Sequence, residues 1–95
     1  MKLIVSPDAA ADLDRLRAFL ADKNPEAAQR AAVCLIEAIQ SLNTFPDRGR
    51  LTGIDGVREL IVPFGSSAYV LRYADMADTS EVIVLRIWHG REQRD

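Results

Sequence analysis

Only one cysteine and one histidine occur among the 95 residues, Cys34 and His89, and no lysine follows Lys23. A lone cysteine cannot close an internal disulfide, and one cysteine with one histidine cannot build an ordinary zinc site. The reducing cytoplasm is therefore the expected location, with no metal and no small-molecule cofactor expected. No apolar run approaches the roughly 20 residues of a membrane-spanning helix, and Met1 to Val5 is too short for a signal peptide, so no membrane association is expected. A positive excess is missing as well. The net charge of −2 argues against nucleic acid as the sole partner, because gripping phosphates usually takes a clear surplus of cations.

What is present is arginine, ten of the twelve basic residues. Its planar fork suits bidentate pairing with carboxylate or phosphate, at a protein interface as much as on nucleic acid. A chain of this length suits one domain, spanning 1–95, and can bury roughly two-thirds of its unfolded surface in one core.

Met1 to Val5 reads as a short strand. Ser6-Pro7-Asp8 is a helix start: an N-cap hydroxyl, a proline at the first helical position and an acid at the positive end. That helix is expected to run to about Ala21 or Asp22, with Ala9, Leu13, Leu16 and Leu20 on one stripe. Asn24-Pro25-Glu26 repeats the start signal. The second helix carries Ala28, Ala32, Leu35, Ile39 and Leu42 on its apolar face and should close near Asn43 or Thr44, because Pro46 disfavours helical backbone at Phe45. The two should form a hairpin. Residues 47–56 read as a loop, followed by strand-like runs at Val57–Val62, Ala68–Tyr73 and Glu81–Trp88 with short polar connections. The expected fold is α+β: an N-terminal strand and a helical hairpin packed on a C-terminal antiparallel three-stranded sheet.

The last strand is the most informative segment. Its Val/Ile/Leu run belongs in the middle of a sheet, yet Arg86 interrupts it and Trp88-His89-Gly90-Arg91 follows at once. Read with period two, Val57, Glu59, Ile61, Tyr69, Leu71, Tyr73, Ile83, Leu85 and Ile87 form the bulkier face and should lie under the helices. The other face would then collect Arg58, Arg72 and Arg86, one per strand. Leu35, Ile39, Leu71 and Leu85 are the expected core.

Ser66 and Ser67 lie in a turn, without a nucleophile-elbow motif or a second histidine, which argues against serine catalysis. Cys34 reads as a packed helix residue. Asp12 and Asp14, two apart on a helix, read as solvated charges. The candidate functional set is Arg48, Arg50, Arg58, Glu59, Arg72, Arg86, His89 and Arg91. Inner-strand arginines must meet carboxylates such as Glu59, solvent or a ligand, because an unpaired buried charge is very costly.

The order of strand, helical hairpin, Phe45-Pro46-Asp47-Arg48-Gly49-Arg50, Val57-Arg58-Glu59-Leu60, Tyr69-Val70-Leu71-Arg72-Tyr73 and Val84-Leu85-Arg86-Ile87-Trp88-His89-Gly90-Arg91 resembles the RelE/ParE superfamily of bacterial toxins across nearly the whole chain. The resemblance implies the growth-arresting toxin of a type II toxin–antitoxin pair, in the setting of plasmid stabilisation, with a cognate antitoxin as partner. It also implies one of two targets. ParE-like members act on DNA gyrase by binding; RelE-like members cut mRNA on the ribosome with basic residues and commonly a late tyrosine. The absence of lysine after Lys23 and of tyrosine after Tyr73, with the negative net charge, leans toward gyrase. The alternative endonuclease would take Glu59 or His89 as acid or base and Arg58 and Arg86 as phosphate holders, with Arg48, Arg50, Arg72 and Arg91 as further target or antitoxin contacts. A toxin-like fold whose activity has decayed is the third expectation.

Overall fold

The computed structural model describes residues 2–92. Strand β1, Lys2–Val5, leads through Ser6 into helix α1, Pro7–Lys23; Met1 lies outside the described residues. The Ser6 side chain accepts the Ala9 N–H at 3.0 Å, as the start signal requires. Asn24 then does two jobs. Its own N–H donates to the Leu20 carbonyl and ends α1, while its Oδ1 accepts the Ala27 N–H and opens helix α2, Pro25–Ser41. One residue thus separates the helices, and buried Ala27, Ala28 and Ala31 at the start of α2 let α1 approach closely.

Four strands follow: β2 (Arg50–Leu51), β3 (Val57–Phe64), β4 (Ser67–Met76) and β5 (Glu81–His89). The sheet order is β1-β5-β4-β3-β2. β3, β4 and β5 form the expected antiparallel trio, and the α+β arrangement holds. The sheet nevertheless has five strands. β1 joins it parallel to β5, and Arg50–Leu51, inside the expected loop, pairs with Arg58 and Glu59. A two-residue strand has no periodicity to read.

The faces also differ from expectation on β3. Gly65, at φ +60°, and Ser66 make a two-residue hairpin turn that pairs Phe64 with Ser67, Val62 with Tyr69 and Leu60 with Leu71. Even positions of β3 therefore share a face with odd positions of β4. Leu60 and Val62 lie under the helices with Tyr69, Leu71 and Tyr73, and Glu59 moves to the open face. On β5 the register shifts between Arg72↔Arg86 and Tyr73↔Val84, so Leu85 is an extra residue and Val82, Val84 and Ile87 all face the core. Leu35, Ile39 and Leu71 are buried as expected, whereas Leu85 is only half-buried.

The Phe45–Arg50 segment is tied to the helix-side face by Tyr73. Its buried hydroxyl donates to the Pro46 carbonyl at 2.7 Å and accepts the Gly49 N–H at 2.8 Å, and burial raises this phenol above the usual tyrosine range. A Cβ on Gly49 would stand 2.6 Å from that hydroxyl oxygen. Gly49→Ala should therefore destabilise the protein by about 1–3 kcal/mol through overpacking, and Tyr73→Phe by a similar amount through the orphaned Gly49 N–H. Leu71→Ala should cost about 2–5 kcal/mol and Leu85→Ala clearly less. Urea unfolding of the four variants checks the order.

Candidate functional site

Charged side chains line up across the open face in one row. Arg50 on β2 stands opposite Glu59 on β3, Glu59 opposite Arg72 on β4, and Arg72 opposite Arg86 on β5. Arg72 Nε and Nη2 donate to Glu59 Oε2 at 3.1 and 2.9 Å, and Arg50 lies 3.6 Å from Oε1. Both inner guanidiniums rest on Trp88, at 4.8 Å for Arg72 and 5.1 Å for Arg86 from the ring centroid. Under them the indole is only 4% exposed. This cation–π stacking explains how a tryptophan is buried on a face with no helices over it.

Asp12 completes the row from the helical layer. β1 ends at Val5 while β5 continues to His89, so the later part of β5 has no strand beside it on that edge. The Asp12 carboxylate fills the gap: Oδ2 accepts the Ile87 N–H at 2.9 Å and the Arg86 Nε–H at 2.7 Å, and Oδ1 accepts from Arg86 Nη2 at 3.1 Å. Arg15, one turn on, donates to both Asp12 and the Ile87 carbonyl. Burial by itself would raise the pKa of Asp12, but hydrogen bonds from Arg86, Ile87 and Arg15 and the charge of Arg86 outweigh it and hold the group below the usual range. Asp12 is therefore not the solvated charge expected from sequence. A signal was available, because it shares the stripe of Ala9 and Leu16.

The other candidates lie elsewhere. Arg58 is on the helix side, where its Nη1 donates to the Asp47 and Gly49 carbonyls. Arg48 is exposed and bonds Ser41. His89 points to the helix side too, so the sheet separates Arg58 and His89 from Arg86 and the three do not form one surface.

His89 sits at the polar end of a groove between α1 and the β3–β4 hairpin, about 760 Å³ in volume, whose walls include Leu16, Phe19, Leu20, Phe64 and Tyr69. Its Nδ1 accepts the Arg91 N–H at 3.2 Å, which leaves the proton on Nε2, 2.8 Å from Ser67 Oγ. In that tautomer the histidine donates to the serine and cannot take its proton, consistent with no nucleophilic serine here. Phe19, 65% exposed, is absent from the sequence-based candidates, and Ser67 figures there only as a rejected nucleophile, because nothing in their local pattern marks a groove.

The sequence matches the family model for the ParE toxin of type II toxin–antitoxin systems, parDE, over residues 3–94. The chain belongs to the ParE toxin family. It is 46% identical over 92 residues to Toxin RelE1 of Caulobacter vibrioides, covering 97% of this chain and 96% of the relative. It is also 37% identical over 90 residues to Toxin RelE3 of the same organism, covering 95% of each. A chain of the chromosomal ParDE TA system from P. aeruginosa superposes with a TM-score of 0.76 at 26% identity, covering 94% of this chain and 95% of that one. The protein is thus a type II toxin of the RelE/ParE superfamily, a class that implies a cognate antitoxin. Among the described residues no helix is long and apolar enough to cross a membrane, and no group of three His, Cys, Asp or Glu could hold a metal ion.

Asp12→Asn tests the row directly. It keeps an acceptor for Ile87 but removes the negative charge beside Arg86, so the expected loss at pH 7 is about 1–3 kcal/mol. Because the native pKa is lowered, the stabilisation is present above the ordinary carboxylate range near pH 4 and disappears as pH falls through the native value. Urea melts of wild type and Asp12→Asn should converge as pH falls below the ordinary carboxylate range.

Proposed function

We propose that this toxin arrests growth in the cytoplasm by binding DNA gyrase, and that its antitoxin blocks it by complex formation. The observation that carries binding over nuclease chemistry is the separation of His89 from the open-face arginines by the sheet itself. A hydrolytic site needs a proton-transfer group and charge-stabilising groups on one phosphate. Here Arg72 and Arg86 are engaged by Glu59, Asp12 and Trp88, and the imidazole opens into the opposite groove. The absence of a late tyrosine and of any lysine after Lys23 favours the same reading. In this reading Arg50, Arg72 and Arg86 offer the target a rigid charged surface.

The names of the RelE relatives favour a second reading, cleavage of ribosome-bound mRNA, with Glu59 as the proton-transfer group and Arg72 and Arg86 on the phosphate. Purified toxin added to a gyrase supercoiling reaction and, separately, to translating ribosomes discriminates the two. The expected outcome is loss of supercoiling with intact mRNA. Discrete mRNA cuts with gyrase unaffected would replace the first reading by the second. Arg50, 61% exposed in its side chain, gives the cleanest variant: Arg50→Gln, which removes the charge without setting a second carboxylate against Glu59, should weaken gyrase inhibition with little change in melting temperature.

A further inference from the structure

The charged row of the open face runs between two apolar bands. In register on one side of it lie Ile4, Ile83, Ala74 and Val57, and on the other Trp88, Val70 and Ile61. The helices pack against the opposite face of the sheet, which leaves Ile61 exposed and Ile4, Val57 and Ile83 half-buried. An apolar surface crossed by a single line of charge has the make-up of a protein interface.

Within the row three arginines stand against two carboxylates, but solvent does not meet them equally. The side chains of Glu59 and Asp12 are 9% and 6% exposed, whereas those of Arg50, Arg72 and Arg86 are 61%, 24% and 38% exposed. Arg72 and Arg86 lie directly opposite one another, a like-charge pairing that is destabilising by itself. Glu59, Asp12 and the shared indole hold them there, so the acids serve as supports while the guanidiniums meet solvent. The face is therefore cationic to an approaching partner although the chain carries a net charge of −2. Nucleic acid gains nothing from the apolar bands, and its binding takes a surplus of cations that this chain lacks. A second copy would set guanidiniums against guanidiniums, with the carboxylates of both copies hidden.

We propose that the open face binds an acidic, apolar-flanked protein segment, and that this segment belongs to gyrase itself and not to the DNA it carries. One carboxylate of the segment meets Arg50 and another the Arg72–Arg86 pair, about 10–14 Å away across two to three strand spacings. Apolar side chains beside those carboxylates fill the bands at Ile61 and at Val57 and Ile83. The inference rests on the gyrase reading of the function and deepens it by stating what the face recognises. Apolar filling supplies affinity, and the paired carboxylates fix the register of the segment on the row.

The test uses the whole toxin and the purified gyrase subunits, each offered separately, with binding measured by calorimetry, inhibition by supercoiling and folding by thermal melting. One subunit should bind. Arg50→Gln should weaken that binding about tenfold or more, the usual loss for a hydrogen bond to a charged group, and Ile61→Thr about fivefold through lost apolar burial. Val33→Ser, which alters an exposed residue of α2 in the helical layer, should bind as wild type, and all three variants should melt close to wild type. Hydrogen exchange then locates the gyrase segment that the toxin protects. Exchanging its Asp and Glu residues singly for amides should, at one position, weaken wild type about tenfold and add little to Arg50→Gln, the coupling expected of a direct pair.

If wild type inhibits gyrase but Arg50→Gln and Ile61→Thr bind as tightly as wild type, the target sits elsewhere on the toxin, and this inference falls while the gyrase reading stands. Binding of a short DNA duplex in the absence of gyrase, steeply salt-dependent and lost in Arg50→Gln, would assign the row to nucleic acid instead. A toxin that sediments alone as a dimer and becomes monomeric on Ile61→Thr would assign the face to a second copy. Weaker antitoxin binding with unaltered gyrase binding in both variants would assign it to the antitoxin. If wild type neither binds nor inhibits gyrase, the underlying reading fails and this inference fails with it.

Discussion

The carboxylate of Asp12 holds the helical layer to the sheet at the one place where β5 lacks a neighbouring strand. β1 is too short to cover the second half of β5, and an uncovered strand edge presents unpaired N–H and C=O groups. Here α1 substitutes for the missing strand, with Asp12 accepting the Ile87 N–H and Arg15 donating to the Ile87 carbonyl. A buried carboxylate is costly unless cations and N–H donors surround it, which fixes where Arg86 and Arg15 must go. Arg86 is thereby drawn over Trp88 toward Arg72 and Glu59, and Arg15 toward Glu92 at the groove. Both surfaces of the molecule depend on this contact.

Those surfaces are physically unlike. The open face is a row of charges already balanced inside the protein, stiffened by two guanidiniums lying on one indole, and it suits recognition by a partner of matching charge pattern. The groove is apolar along most of its length, with polar groups gathered at one end by the turn that follows β5. The sheet between them keeps His89 away from Arg86. Members of the RelE/ParE superfamily share a fold across different targets, so the division of groups between the two sides of the sheet carries more functional information than the fold itself.

Much of the local structure was legible in the residues. Ser6-Pro7-Asp8 and Asn24-Pro25-Glu26 mark the helix starts because capping depends on chemistry within three residues of the cap. The β-branched runs mark β3, β4 and β5, and the order of elements with its Phe45–Arg50 and Leu85–Arg91 segments was enough for the superfamily resemblance. The open-face grouping of Arg72 with Arg86 was readable too. Asp12 reads as solvated by its charge although its stripe position marks it for burial, and β2 is illegible because two residues carry no pattern.

The sequence by itself determined the elements, their order, the helical hairpin and the supply of arginines, since each of these follows from contacts a few residues apart along the chain. Only the tertiary structure decided which arginine meets which partner. The two-residue turn at Gly65-Ser66 and the extra residue at Leu85 each shift strand parity by one, and a shift of one carries every side chain to the opposite face. That parity placed Arg58 with the Asp47–Gly49 backbone, Glu59 with Arg72, and His89 with Ser67, pairings between residues as many as 22 positions apart that no local pattern encodes.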